Sequence, residues 1–62
     1  MNLIKTKRLN LGYKQYKVAE MLNISSRHYA RIENDEREPN KTELKQLCKI
    51  FGCSRKDLEE ED

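Results

Sequence analysis

Three arginines, the chain's only histidine and its only proline fall in one short stretch, "NISSRHYARIENDEREP", Asn23 to Pro39. The chemistry open to these side chains is recognition rather than catalysis. His28 has no evident triad partners, and neither an HExxH pair nor a phosphate-cradling glycine loop accompanies it. Cys48 and Cys53, with that one histidine about twenty residues upstream, do not complete a tetrahedral zinc set. No metal, cofactor or small-molecule ligand is therefore expected, and no enzyme activity. The two thiols could close a short loop, but a single bridge is poor evidence of a secreted scaffold. They are read as small, buried, free thiols. What is left is a set of cationic, hydrogen-bonding side chains suited to a polyanion.

The charge distribution points the same way. Residues 1–31 carry seven basic side chains against one acid, a net +6, whereas residues 32–62 carry six against ten, a net −4. A basic half joined to an acidic half suggests one face that meets a polyanion and another kept off it; the plain alternative is a solvated surface with uneven charge. At 62 residues the chain is expected to form one small domain, burying only about 60% of its unfolded surface. No apolar stretch approaches a membrane span and nothing at the start resembles a signal peptide, so the cytoplasm is the expected compartment.

The elements that must position these residues read as five short helices, an all-α domain without strand alternation. Residues 2–11 place Leu3, Ile4 and Leu11 for one face, with Gly12 as a stop. Residues 15–22 put Val18 and Leu22 at i, i+4 with Ala19 beside them. Asn23 tolerates the left-handed backbone that a tight turn demands. Ser25 is a good N-cap for a third helix, 26–34, whose inward positions are Tyr29 and Ile32. Pro39 disfavours helix in the residue before it. Asn40 with Glu43 three residues on forms a capping-box-like start for a fourth helix. Its stripe is Leu44, Leu47, Cys48 and Phe51, and Gly52 ends it. Ser54 and Asp57 open a last turn around Leu58, and the acidic tail from 59 to 62 is expected to fray.

Residues 15–34 thus predict two helices joined by three residues, the helix-turn-helix unit. Ala19 is the small residue that close helix approach requires, Ile24 plugs the turn, and Val18, Leu22, Tyr29 and Ile32 make the shared interior. With these in register, "KRLNLGYKQYKVAEMLNISSRHYARIENDEREPN" resembles the helix-turn-helix domain of phage repressors and Cro proteins, the XRE-like family. Arg8, Gly12, Gln15, Ala19, Leu22, Ile24, Ser25, "RIEN" at 31–34 and Pro39 match the family's pattern, and "LKQLCKIFGCSRKDL" resembles its fourth helix and ending. The likeness spans residues 4–58. There are four departures. Lys14 stands where a capping Thr or Ser is usual, Asn23 and Asp35 replace glycines, and Tyr29 replaces a branched aliphatic, so that the core there must be wider.

The resemblance implies a lambda-repressor-like bundle that binds double-stranded DNA, reads the major groove with helix 26–34, and regulates transcription as a repressor. Together with helical geometry it makes Ser26, Arg27, His28 and Arg31 the outward positions of that helix. Arg27 leads as a base reader, because the guanidinium fork matches guanine O6 and N7. Arg31 would meet a base or a phosphate, or else pair with an acid such as Glu20. Ser26 would meet DNA or help cap the helix, and His28 is a weaker contact. The resemblance gives Gln15 a phosphate contact and a bracing role, aided by the unpaired N–H groups at its helix start. Asn34 and Lys14 are further backbone contacts. Arg8 and Glu33 would form an ion pair tying the first helix to the third. A homodimer on two half-sites is expected, with Phe51 and Leu58 as candidates for its surface. The rival reading is a protein-binding module, an antitoxin or anti-repressor, that uses the same fold.

Overall fold

In a computed structural model, residues 3–58 are described, and they form four α-helices and a closing 3-10 turn. The helices are α1 (Ile4–Leu11), α2 (Gln15–Leu22), α3 (Ser26–Glu33) and α4 (Lys41–Phe51); the 3-10 turn is Arg55–Leu58. The tail expected to fray lies outside the described residues.

Local sequence sets where each helix stops. Each of the four is followed by a residue with left-handed backbone: Gly12, Asn23 and Gly52 directly, with φ of 78°, 61° and 64°, and Asp35, with φ of 61°, one residue beyond the Asn34 cap of α3. In every case the next residue's N–H reaches back to a carbonyl five positions earlier: Tyr13 to Arg8, Ile24 to Ala19, Glu36 to Arg31, Cys53 to Cys48. This is the 6→1 bond of the Schellman motif, which satisfies carbonyls left over at a helix end. Two of the four positions lack glycine, and both carry the small polar types that tolerate this conformation best. Asp35, the least expected of them in the sequence, takes up this left-handed angle.

The helix starts differ in quality. Ser25 caps α3, its Oγ accepting from His28 N–H at 3.0 Å. Asn40 and Glu43 form a full capping box on α4, with bonds of 2.7 and 2.9 Å. At the start of α2, Lys14 has the extended backbone of a capping residue but supplies no side-chain acceptor. Lys14→Ser is accordingly expected to stabilise the domain by about 1 kcal/mol, seen as a higher midpoint in urea unfolding with an unchanged slope.

The core is one cluster drawn from every element: Ile4, Val18, Ala19, Leu22, Tyr29, Ile32, Leu44, Leu47, Phe51 and Leu58. Ala19 of α2 is buried in this cluster, and Ile24 packs against it from the turn between α2 and α3. Tyr29 is fully buried and is the largest of the completely enclosed side chains. The closing turn is tied to the front of the chain, Leu3 N–H donating to the Leu58 carbonyl at 3.0 Å. Two expectations fail here. Leu11 lies on the Ile4 face but is 50% exposed, at the very end of α1, and the buried residues of α1 are Ile4 and Arg8. Phe51 and Leu58 are consumed by the monomer's own core and offer little to a dimer surface; among the described residues, the large apolar side chains left exposed are Leu9, Leu11, Tyr16 and Met21.

Candidate nucleic-acid interface

The third helix is the element on which the polar side chains converge, and its two sides have different fates. Tyr29, Ile32 and Glu33 are buried, whereas Ser26, Arg27 and Arg31 are exposed, as is Asn34 just past the helix end. Neither Arg27 nor Arg31 makes an ion pair among the described residues, so the pairing of Arg31 with Glu20 that the sequence left open is not formed. Two guanidinium groups one helical turn apart stand free on the surface of a helix whose opposite side is packed.

That opposite side is held by a buried polar network. Arg8 donates from Nε to Glu33 Oε2 at 2.6 Å and from Nη2 to Glu33 Oε1 at 3.2 Å, a bidentate pair. Its Nη1 donates to the Tyr13 carbonyl at 2.9 Å, in the α1–α2 turn. Gln15 Nε2 donates to Glu33 Oε1 at 3.1 Å. One glutamate at the end of α3 thus gathers α1 and the first residue of α2. Burial alone would raise the Glu33 carboxyl, but the Arg8 guanidinium, with Tyr29 and Gln15 beside it, outweighs that and holds it below its ordinary value. The Tyr29 hydroxyl, enclosed next to this carboxylate, is pushed well above the ordinary tyrosine range, first by burial and then by the Glu33 charge.

Lys14 is exposed and Gln15 half-buried at the start of α2, where the N–H groups of the first turn have no side-chain acceptor. Such a terminus favours an anion. The seven site residues named from the sequence therefore separate. Lys14, Ser26, Arg27, Arg31 and Asn34 are solvent-facing. Gln15 is shared between surface and network. His28 departs from its expected place: its side chain is only 28% exposed, and its ring turns to α4, with Nε2 3.1 Å from Glu43 Oε2. It is a boundary residue between the two sides of α3, and α4 claims it.

The helix-turn-helix family profile matches residues 4–58, all but the ends of the chain. The chain belongs to the helix-turn-helix family, of the Cro/C1, XRE type. Comparison with curated proteins finds no match, and comparison with solved structures finds none either. The helix-turn-helix domain is a non-catalytic, DNA-binding one, so DNA is the partner of this chain. Among the described residues, no helix is long and apolar enough to cross a membrane, and no group of three metal-ligating side chains comes together. Cys48 and Cys53 are free and half-buried, one on each side of the turn that ends α4. Burial, with the neighbouring Cys48, pushes the Cys53 thiol up, away from the thiolate that reactive cysteines need.

The Gln15 bond to Glu33 is a brace of the kind the resemblance implies for that glutamine, from the start of α2 to α3. Sequence reasoning missed the approach of His28 to Glu43. For Glu43 the only signal was its spacing from Asn40, which accounts for one carboxylate oxygen and leaves the other unassigned.

Proposed function

We propose that this helix-turn-helix protein is a sequence-specific transcriptional repressor that reads the major groove of double-stranded DNA with α3 and acts as a homodimer. The observation that carries the reading is the pair of unpaired guanidinium groups, Arg27 and Arg31, on the outward side of a helix locked from behind. Arg27 supplies the base-reading fork, and Arg31, one turn on, reaches a base or a phosphate. Ser26 and Asn34 flank them at the two ends of the helix. Phosphate contacts that fix the register come from Lys14 and from the start of α2, where the Gln15 amide keeps one N–H after bonding Glu33. Two copies would address half-sites about 34 Å apart, one turn of duplex.

Selection from a random duplex pool, followed by fluorescence anisotropy, tests this directly. A motif should be enriched, and affinity for it should fall steeply with salt. Each phosphate-bound cation removed should lower the slope of log affinity against log salt by about one. Lys14→Ser therefore carries a double expectation: a more stable domain that binds DNA more weakly and with a shallower slope. A folded protein that enriches nothing at low salt would not be a sequence-specific repressor.

A further inference from the structure

We propose that His28 is a positioning residue for groove reading, one that fixes the N-terminal turn of α3 through Glu43 instead of touching DNA. The proposal rests on the reading that α3 enters the groove. Two polar anchors reach from α3 to other helices. The first is Glu33, at the helix end, held by Arg8 and Gln15. The second is His28, five residues earlier and about 7.5 Å back along the axis, with Nε2 3.1 Å from Glu43 Oε2, an ion-pair approach that lacks hydrogen-bond geometry and leaves Nε2 buried without a hydrogen-bond partner. A helix gripped at one end by a polar network can pivot about it. Gripped at both, it presents Arg27 and Arg31 in one orientation.

The partner is well placed for such a grip. The Glu43 side chain is 8% exposed, and its position is fixed by the capping box of α4. Its Oε1 accepts from Asn40 N–H at 2.9 Å, while its own N–H donates to Asn40 Oδ1 at 2.7 Å. Burying a carboxylate is costly unless it is paired, and across the helices Oε2 has the imidazole at ion-pair distance. His28 is itself fixed from below, its backbone N–H bonded to the cap residue Ser25. The turn that carries Ser26 and Arg27 is thereby bolted to the start of α4.

The test is a double-mutant cycle on His28→Ala and Glu43→Gln, with His28→Gln as the conservative variant. Glutamine at 43 keeps the capping box, since its amide oxygen still accepts from Asn40, and removes only the charge. Binding is measured on the duplex enriched from a random pool and on a mixed-sequence duplex of equal length. Each single variant is expected to weaken the enriched duplex about tenfold, with the double variant no worse than the weaker single. The mixed duplex and the salt slope should barely change. His28→Gln, whose amide N–H can donate to Glu43, should recover most of the loss. If His28→Ala weakens binding while Glu43→Gln does not, or if the two effects add, the residue meets DNA directly and the proposal fails. The same cycle in urea without DNA should show coupling. Zero coupling alongside an enriched motif overturns the tether alone, whereas an unenriched pool overturns the groove-reading role whatever the coupling.

Discussion

Glu33→Ala is expected to cost about 3–5 kcal/mol of folding stability, because it strands a buried guanidinium that has no other charge to answer it. Arg8 is 8% exposed and spends two of its donors on Glu33; without the carboxylate, only its bond to the Tyr13 carbonyl is left. A domain of this size has only a few kcal/mol to lose, so the variant should be largely unfolded at 37 °C. Arg8→Ala should do the same from the other side, leaving Glu33 buried beside Gln15. Circular dichroism melts decide this. An exposed pair would give a loss of no more than about 1 kcal/mol, and that result would remove the network from its structural role. Loss of DNA binding in either variant would report an unfolded domain and not a missing contact.

The same pair makes the fold acid-sensitive. The folded-state carboxyl of Glu33 lies below its ordinary value of 4.5, so the unfolded chain takes up the proton first. Its contribution to stability is complete above that ordinary value and is lost as pH falls through the lower, folded one. The network is therefore intact near neutrality and yields only in acid.

Features decided by adjacent residues were open to reading. The Ser25 cap, the Asn40–Glu43 box and the left-handed turns at Gly12, Asn23 and Gly52 depend on residues within a few positions of one another, so type and spacing suffice. The Arg8–Glu33 pair joins residues 25 apart. It could be anticipated only because the whole stretch resembles a family in which those positions pair, since nothing local in either segment calls for the other. His28 shows why the remainder was illegible. Helical geometry assigns Arg27 and Arg31 outward and Tyr29 and Ile32 inward, and it groups His28 with the outward set, whereas the structure puts residue 28 at the border. Which way a border residue turns depends on the element packed alongside, here α4, whose placement no periodicity within α3 reveals. Leu11 and Phe51 err for the same reason, in opposite senses. Leu11 has an apolar position and no neighbour to cover it. Phe51 fits an apolar stripe, but whether such a stripe faces its own core or a second copy is settled by tertiary packing.

Arg27→Ala is the substitution expected to matter most for recognition while leaving the fold alone. The side chain is exposed and unpaired, so its removal should move the unfolding midpoint by less than about 0.5 kcal/mol. Bound to guanine by its fork, it would supply about 1–3 kcal/mol of discrimination, so affinity for the enriched duplex should fall between about fivefold and 150-fold. The loss should be confined to sequences that carry the guanine it reads: replacing that base pair should weaken the wild type and leave Arg27→Ala indifferent. Arg27→Lys separates the fork from the charge. Lysine keeps a cation for a phosphate but cannot make the planar bidentate pair, so a base-reading role predicts that Arg27→Lys behaves nearly as badly as alanine on the enriched duplex. A phosphate role predicts the reverse: lysine retains most of the affinity, and alanine lowers the salt slope by about one on every sequence. The two outcomes differ in base dependence as well as in size, so one set of titrations on two duplexes assigns the residue.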